Sequence, residues 1–134
     1  MTEEKLHKSI IDFILFQYPK VIFNTDSSGI KLTMGQAMKM KKLRSDNGFP
    51  DITIYEPKKN YSGLFLEVKK ETPYKKDGIL KTMTRYRKVG KVKVKYDHLQ
   101  EQNKMHQRLI NRGYKAEFVW SLEMAQKILH DYFN

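Results

Sequence analysis

Two acidic residues and a lysine have the types and the spacing of a hydrolytic metal site. Asp51 opens a predicted strand, and Glu67 and Lys69 lie two residues apart on the next one, so their side chains share a face. If the two strands pair as a hairpin, the carboxylates of Asp51 and Glu67 meet at one end of the sheet. The backbone carbonyl of Val68 would add a further oxygen, and oxygen ligands of this kind suit Mg²⁺ or Mn²⁺.

The chemistry expected of such a site is cleavage of a phosphodiester. A bound divalent cation lowers the pKa of water and neutralises charge on the phosphate, and Lys69 would orient the attacking water or stabilise the transition state. The same spacing is typical of an alternating strand with a solvated polar face, on which Glu67 and Lys69 form an ordinary surface pair. Spacing alone leaves both interpretations open.

Two further polar residues fall on apolar helix stripes. With about 100° per residue, Glu3 lies between Ile10 and Ile14 on the apolar face of the first predicted helix. A glutamate aimed at the core needs a metal or a partner, although an acid in a frayed first turn also suits the helix dipole. Gln102 lies on the same apolar stripe as Leu99. If its amide is buried, it needs hydrogen-bond partners from the site, whereas an amide at the edge of the stripe is satisfied without them.

A mixed α/β scaffold is needed to bring these residues together. The hydropathy pattern predicts helices over 3–17, 33–44, 99–112 and 122–133, and strands over 21–23, 51–55, 64–69 and 116–120. The second helix begins with capping-box spacing at Thr33 and Gln36, and a turn is predicted from Asp26 to Gly29. The order α-β-(α)-β-β-α-β-α predicts an α/β fold with a mixed central sheet flanked by helices.

Composition narrows the classes of function. The chain of 134 residues has the length of one domain, and 26 Lys and Arg against 15 Asp and Glu give a net charge of +11. This balance predicts a polyanionic partner, nucleic acid before an acidic membrane. The absence of cysteine excludes a disulfide scaffold and a cysteine nucleophile. The sequence also has no glycine-rich phosphate-binding loop, so no nucleotide cofactor is predicted. No apolar run approaches the roughly 18 residues of a membrane span, so we expect a cytoplasmic, non-secreted protein.

The positive charge is concentrated in the segment 69–95, which holds eleven Lys and Arg against two acidic residues. Because each neutralised phosphate releases counterions, such a segment is expected to bind DNA. We predict a basic insertion at about 74–96 that forms a hairpin or loop, with Tyr86 or Tyr96 stacking on bases; lysines that protect an edge strand give the same pattern. The candidate DNA-binding residues are Lys39, Lys41, Lys42, Arg44, Lys70, Lys75, Lys76, Arg85, Arg87, Lys88, Lys91, Lys93 and Lys95.

Taken in order, these elements resemble the PD-(D/E)XK nucleases, and more narrowly their virus-type replication-repair nuclease domain, VRR-NUC. The motifs that carry the resemblance are Glu3 in the first helix, Gly48-Phe49-Pro50-Asp51-Ile52, Leu66-Glu67-Val68-Lys69, Glu101-Gln102 and the segment 113–120. The resemblance covers nearly the whole chain and is closest to small stand-alone members of the phage type. One departure is the segment 81–96, which is longer than the loop expected before the glutamine helix.

This resemblance implies a restriction-endonuclease-like fold and DNA cleavage with Mg²⁺ or Mn²⁺ as cofactor. The implied metal ligands are Asp51, Glu67 and the Val68 carbonyl, with Lys69 as the catalytic lysine, Glu3 as an outer ligand and Gln102 as support for the site. It further implies a homodimer that acts on branched DNA such as Holliday junctions. The alternatives are a non-catalytic nucleic-acid-binding module and a nuclease of the same fold that acts on other DNA or RNA.

Overall fold

The computed structural model describes residues 1–26 and 33–134. In these ranges the helices are α1 (Glu3–Gln17), α2 (Met34–Lys42), α3 (His98–Ile110) and α4 (Leu122–Phe133). The strands are β1 (Phe23–Thr25), β2 (Ile52–Ile54), β3 (Leu64–Val68), β4 (Thr84–Val89), β5 (Val92–Asp97) and β6 (Lys115–Val119). Beyond its first residue, the turn predicted from Asp26 to Gly29 lies outside the described residues. None of the described helices has the length and apolar character to cross a membrane.

The central sheet is mixed, as the element order predicts. Its strand order is β1-β2-β3-β6. β1 pairs antiparallel with β2 and β2 antiparallel with β3, whereas β6 runs parallel to β3. Ile52 pairs with Leu66 on one side of β3, and Glu67 pairs with Phe118 on the other. β3 is therefore an interior strand with a neighbour on each side.

The two faces of the sheet carry different helices. On the first face, α1 and α4 pack against alternate residues of β2 and β3 around a buried apolar core. The core residues on this face are Leu6, Ile10, Ile14, Ile52, Ile54, Leu64, Leu66, Val68, Val119, Ala125, Leu129 and Tyr132. α3 covers the second face, where the His106 ring lies 4.5 Å from that of Phe118. Because side chains alternate along a strand, Glu67 and Lys69 belong to the face under α3.

Two predicted elements need correction. The first strand lies two residues later than its apolar run, because Phe23 is the residue that pairs with Ile54, and Ile22 is left 70% exposed. On α3, Ile110 is exposed although it was predicted on the apolar side, whereas Gln102 is buried.

The basic segment contains a regular hairpin. β4 and β5 pair antiparallel from Thr84 with Asp97 to Val89 with Val92, so the prediction of a hairpin within the segment is confirmed. The two-residue connection starts with Gly90 at φ +65°. Glycine at the first position is typical of a type II′ turn, whose twist matches that of the flanking strands.

Gly48 allows the loop before β2 to pack closely against α3. Gly48 has φ +83°, and a Cβ added there would lie 3.0 Å from the carbonyl oxygen of Glu101. The backbone of this loop therefore packs directly against the first turns of α3. Since Asp51 follows this loop and Gln102 follows Glu101, the contact fixes the distance between two candidate site residues.

Gly48→Ala is expected to destabilise the protein by about 2–3 kcal/mol, because left-handed backbone strain is joined by a steric clash. Gly78→Ala is the matched control, since Gly78 has the same φ of +83° and no atom within 4 Å of an added Cβ. The control should lose only about 1 kcal/mol. Urea unfolding measures both, and equal losses would show that the contact with α3 carries no free energy.

Candidate active site

Asp51 is held at the end of β2 by two backbone hydrogen bonds. The Val68 N–H donates to Asp51 Oδ2 at 2.8 Å in a buried environment. The Asp26 N–H donates to the Asp51 carbonyl oxygen at 2.7 Å. The side chain thus takes the ladder hydrogen bond that a further residue of β2 would have accepted. This arrangement fixes the carboxylate beside β3.

Glu67 and Lys69 lie under α3 rather than in solvent. Glu67 is 2% exposed, Lys69 is 6% exposed and Asp51 is 9% exposed. The interpretation of Glu67 and Lys69 as a solvated surface pair is therefore wrong. Burying an ionised group costs free energy unless other groups compensate its charge. Three ionisable side chains are nevertheless buried together at this place.

Gln102 reaches Glu67 from α3. Its Nε2 donates to Glu67 Oε1 at 2.6 Å, across 35 positions of sequence. Gln102 is itself buried, and its Oε1 has no hydrogen-bond partner among the described residues. A donor such as an ammonium group or a water would complete the amide. The Gln102 side chain therefore contacts Glu67 through its nitrogen and leaves its oxygen available to accept a hydrogen bond.

The two carboxyl groups contact each other, and this sets their electrostatics. Burial raises the pKa of Glu67 well above its ordinary value, and the hydrogen bond and negative charge of Asp51 raise it further. The positive charge of Lys69 lowers the pKa of Glu67 in part, and Glu3 raises it slightly. The pair of carboxyl groups therefore tends to retain a proton unless a cation lies between them.

The donor set fits a hard divalent cation. Within 1–26 and 33–134, no three His, Asp or Glu side chains form a metal cage by themselves. Mg²⁺, however, is commonly held by one or two carboxylates, with waters and substrate phosphate completing its shell. Asp51, Glu67 and the Val68 carbonyl provide such a partial shell of oxygen atoms. The free Oε1 of Gln102 is suited to accept a hydrogen bond from a water in that shell.

These groups lie on the floor of a cavity of about 360 Å³. Val68 and Glu3 also line it. The helical position of Glu3 predicted a side chain aimed at the core, but Glu3 is exposed in the first turn of α1. The cavity therefore brings together all six of the predicted catalytic and metal-binding residues, with Glu3 at its rim.

The predicted DNA-binding residues fall into two groups. Four of them line the cavity: Lys41, Arg44, Arg85 and Arg87. The other nine are exposed and lie outside its lining: Lys39, Lys42, Lys70, Lys75, Lys76, Lys88, Lys91, Lys93 and Lys95. Arg44 donates to Asp26 at 2.9 Å, and Arg87 donates to both carboxylate oxygens of Glu101, at 2.9 and 2.7 Å. These two ion pairs therefore also hold elements around the cavity, since Arg44 joins the segments that follow β1 and α2, and Arg87 joins β4 to α3.

His98 and Tyr96 are cavity residues whose positions depend on the hairpin. His98 lines the cavity, and its Nδ1 has no hydrogen-bond partner among the described residues. Burial, helped by the charges of Arg85 and Lys69, lowers the pKa of His98 to about 4, so the ring is neutral at pH 7. No sequence pattern predicted His98 as a site residue, because it has no second histidine at metal-ligand spacing. The Tyr96 ring, predicted to stack on bases, has Arg87 Cζ 3.7 Å from its centre.

Comparison with known proteins identifies the fold. No family model and no curated protein matches the sequence. Among solved structures, a VRR_NUC domain protein superposes with a TM-score of 0.61 over 99% of this chain and 88% of that one, at 15% sequence identity. The chain is thus similar in fold to a VRR_NUC domain along its whole length. The restriction-endonuclease-like fold that the motifs implied is confirmed.

Without a divalent cation, Glu67 should make the protein less stable as the pH rises. Its pKa is raised in the folded state, so above its ordinary pKa the unfolded chain releases a proton that the folded chain retains. In EDTA, the free energy of unfolding attributable to Glu67 should fall by up to about 1.4 kcal/mol per pH unit from about pH 4.5 up to its folded pKa.

Glu67→Gln removes this titration and should be more stable than the natural protein at pH 8 but not at pH 4. Thermal unfolding in EDTA at both pH values measures the difference. Glu117→Gln is the control, because Glu117 lies on β6 outside the cavity lining and pairs with Lys115 at 3.5 Å. A pH-independent effect of Glu67→Gln would contradict the assignment.

Proposed function

We propose that residues 1–134 act as one nuclease domain, a DNA endonuclease that hydrolyses phosphodiester bonds with Mg²⁺ or Mn²⁺. The observation that carries the proposal is the burial of two carboxyl groups and one ammonium group, each less than one-tenth exposed, at the floor of one cavity. The net charge of +11 supports a polyanionic substrate. The likeness in fold to a VRR_NUC domain supports the same reaction class.

Burial of this kind is expensive unless it serves a ligand. Apolar residues of similar volume would stabilise the face under α3 as well or better. The proposed cation would take the place of the proton that Asp51 and Glu67 retain, and a phosphate would add a second negative group beside Lys69, whose charge already acts on Glu67. The three groups, held in the free protein by Val68, Gln102 and one another, are then fully compensated only in the complex with metal and DNA.

The chain's own residues have separate roles. Asp51, Glu67 and the Val68 carbonyl hold the metal, which when bound lowers the pKa of water and neutralises phosphate charge. Lys69 contacts the attacking water or a non-bridging oxygen and stabilises the charge that develops in the transition state. Gln102 orients Glu67 through its hydrogen bond, and Glu3 holds outer water at the cavity rim.

The basic residues beside the cavity position the DNA. Lys41 and Arg85 line it from α2 and β4, on either side of the carboxylates in sequence. Their charges hold the phosphates next to the scissile bond, while the nine exposed basic residues bind more distant phosphates. Phosphate contacts fix register and carry no base preference.

We further propose a homodimer that acts on branched DNA such as Holliday junctions, as the motif resemblance implies. Two-fold symmetry suits the cutting of two strands. The support on this chain is α2, none of whose nine described residues is buried and whose side chains include exposed Met34 and Met38. Exposed apolar side chains at helical spacing suit an interface with a second copy.

Asp51→Asn and Glu67→Gln should each lower the rate of DNA cleavage at least about 100-fold, because either change removes a charged metal ligand. DNA binding in EDTA should stay within about twofold of the natural protein, since neither variant removes a positive charge. Cleavage of labelled DNA with Mg²⁺, Mn²⁺ or EDTA, together with calorimetric titration of Mn²⁺, measures activity and metal binding separately.

Lys69→Met should keep Mn²⁺ binding, because Lys69 is not a metal ligand. It should lower turnover about 100- to 1,000-fold, because the charge that stabilises the transition state is lost. Lys127→Met is the control, since Lys127 is exposed on α4 and pairs with Asp131 at 2.9 Å. Tight DNA binding without cutting under any metal would favour a non-catalytic nucleic-acid-binding module. Cutting of RNA alone would assign the same fold to another substrate.

Four-way junctions should be cut at least about tenfold faster than linear duplex of the same length, because a dimer meets two equivalent strands there. Sedimentation velocity should show a dimer that becomes a monomer in Met34→Ser/Met38→Ser. Ile79→Ser, at another exposed apolar residue, is the control. Equal rates on both DNAs, or a natural protein that sediments as a monomer, would contradict this part of the proposal.

A further inference from the structure

The hairpin β4–β5 has two chemically different faces. The strand register places Arg85, Arg87 and Val89 opposite Tyr96, Val94 and Val92, so these six side chains share one face. The opposite face carries Tyr86, Lys88, Lys93 and Lys95. One face is therefore arginine-aromatic at its base and purely aliphatic at its tip, and the other is largely cationic.

The base of the hairpin is fixed beside the cavity. Arg87 donates to both carboxylate oxygens of Glu101 and lies over the Tyr96 ring, 3.7 Å from its centre. The Met83 N–H donates to Asp97 Oδ1 at 3.0 Å. Arg85, on the same face, lines the cavity together with the candidate metal ligands. The first face of the hairpin is thus continuous with the cavity wall.

The tip of that face exposes three valines. Val89 is 60% exposed, Val92 is 63% exposed and Val94 is 39% exposed. High β-propensity explains β-branched residues in an isolated ribbon, but threonine has the same propensity and suits solvent better. Three adjacent aliphatic side chains at the end of a ribbon therefore suit an apolar ligand surface.

The positive charge around the three valines favours an anionic ligand. Lys88, Lys91, Lys93 and Lys95 surround the tip and are all exposed. A second copy that docked through the same tip would bring four more exposed lysines into the contact and would be repelled. A partner with an anionic backbone and apolar flat surfaces matches both features, and DNA bases and phosphates supply them.

We propose that Val89, Val92 and Val94 form a wedge that inserts at a branch point of the DNA, while the lysines of the opposite face hold the phosphates of the displaced arm. Aliphatic side chains of other DNA-binding proteins enter base steps in this way, and unstacking costs least where the stack is already interrupted. This inference rests on the proposed function, since it names the DNA structure that the cavity receives.

The length of the β4–β5 hairpin also sets the distance between the valines and the cavity. Val89 lies four residues beyond Arg85, which at about 3.3 Å per residue is about 13 Å. That distance corresponds to about four nucleotides of a duplex strand at roughly 3.4 Å each. Cleavage is therefore expected at a fixed position about four nucleotides from the branch.

The test is the variant Val89→Thr/Val92→Thr/Val94→Thr, which keeps the β-branched shape and removes the aliphatic surface. We expect its Kd for a four-way junction, measured in EDTA, to rise about tenfold while its Kd for linear duplex changes less than twofold. With 2-aminopurine beside the branch, the natural protein should raise the fluorescence and the variant should not. Ile79→Thr, at an exposed residue outside the hairpin, is the matched control and should behave as the natural protein does.

Three results would overturn the wedge. The first is a triple variant whose junction binding and fluorescence are unchanged, and the second is an equal loss of affinity for both DNAs. The third is a triple variant that is a monomer where the natural protein is a dimer. Because these measurements use EDTA, they do not depend on catalysis. A natural protein that shows the junction effect but cuts no DNA with metal would overturn the proposed nuclease and leave the wedge standing.

Discussion

The contact between the carboxyl groups of Asp51 and Glu67 is the constraint on which the rest of the site depends. Two acidic groups in a buried place repel each other, so separate elements must hold them together. The Val68 N–H holds Asp51, the Gln102 amide holds Glu67, and the packing of Gly48 on Glu101 holds the loop against the helix. The surrounding sheet and helices hold the pair in place, and without a cation the pair tends to retain a proton because the pKa of Glu67 is raised.

Strand patterns in the sequence predicted much of this arrangement, because alternation fixes which side chains share a face. The positions of Glu67 and Lys69 on one face follow from that rule alone, whereas the mixed sheet follows from the order of the helices and strands along the chain. Burial does not follow from it, since burial depends on α3 packing over a face whose residues read as polar. Glu3 shows the reverse case, because its place on an apolar stripe says nothing about how far α1 extends past the sheet.

The roles of the hairpin residues lay beyond the sequence for a different reason. Arg87 reads as one of many basic residues, yet its guanidinium is divided between Glu101 and the Tyr96 ring. Such a pairing depends on how β4 packs against α3, and a count of charges does not separate an arginine that holds a hairpin against a helix from one that contacts phosphate. His98 entered the cavity through the same packing, without any spacing that would have predicted it.

The strand order has a consequence for the timing of folding during synthesis. β3, which carries Glu67, is an interior strand whose parallel neighbour β6 lies 51 positions later, with Leu64 paired to Lys115. Until β6 leaves the ribosome, β3 has an open edge and α3 has no complete surface to cover. The burial of Glu67 and Lys69 under α3 is therefore completed only after β6 has been synthesised, later than the pairing of β4 with β5.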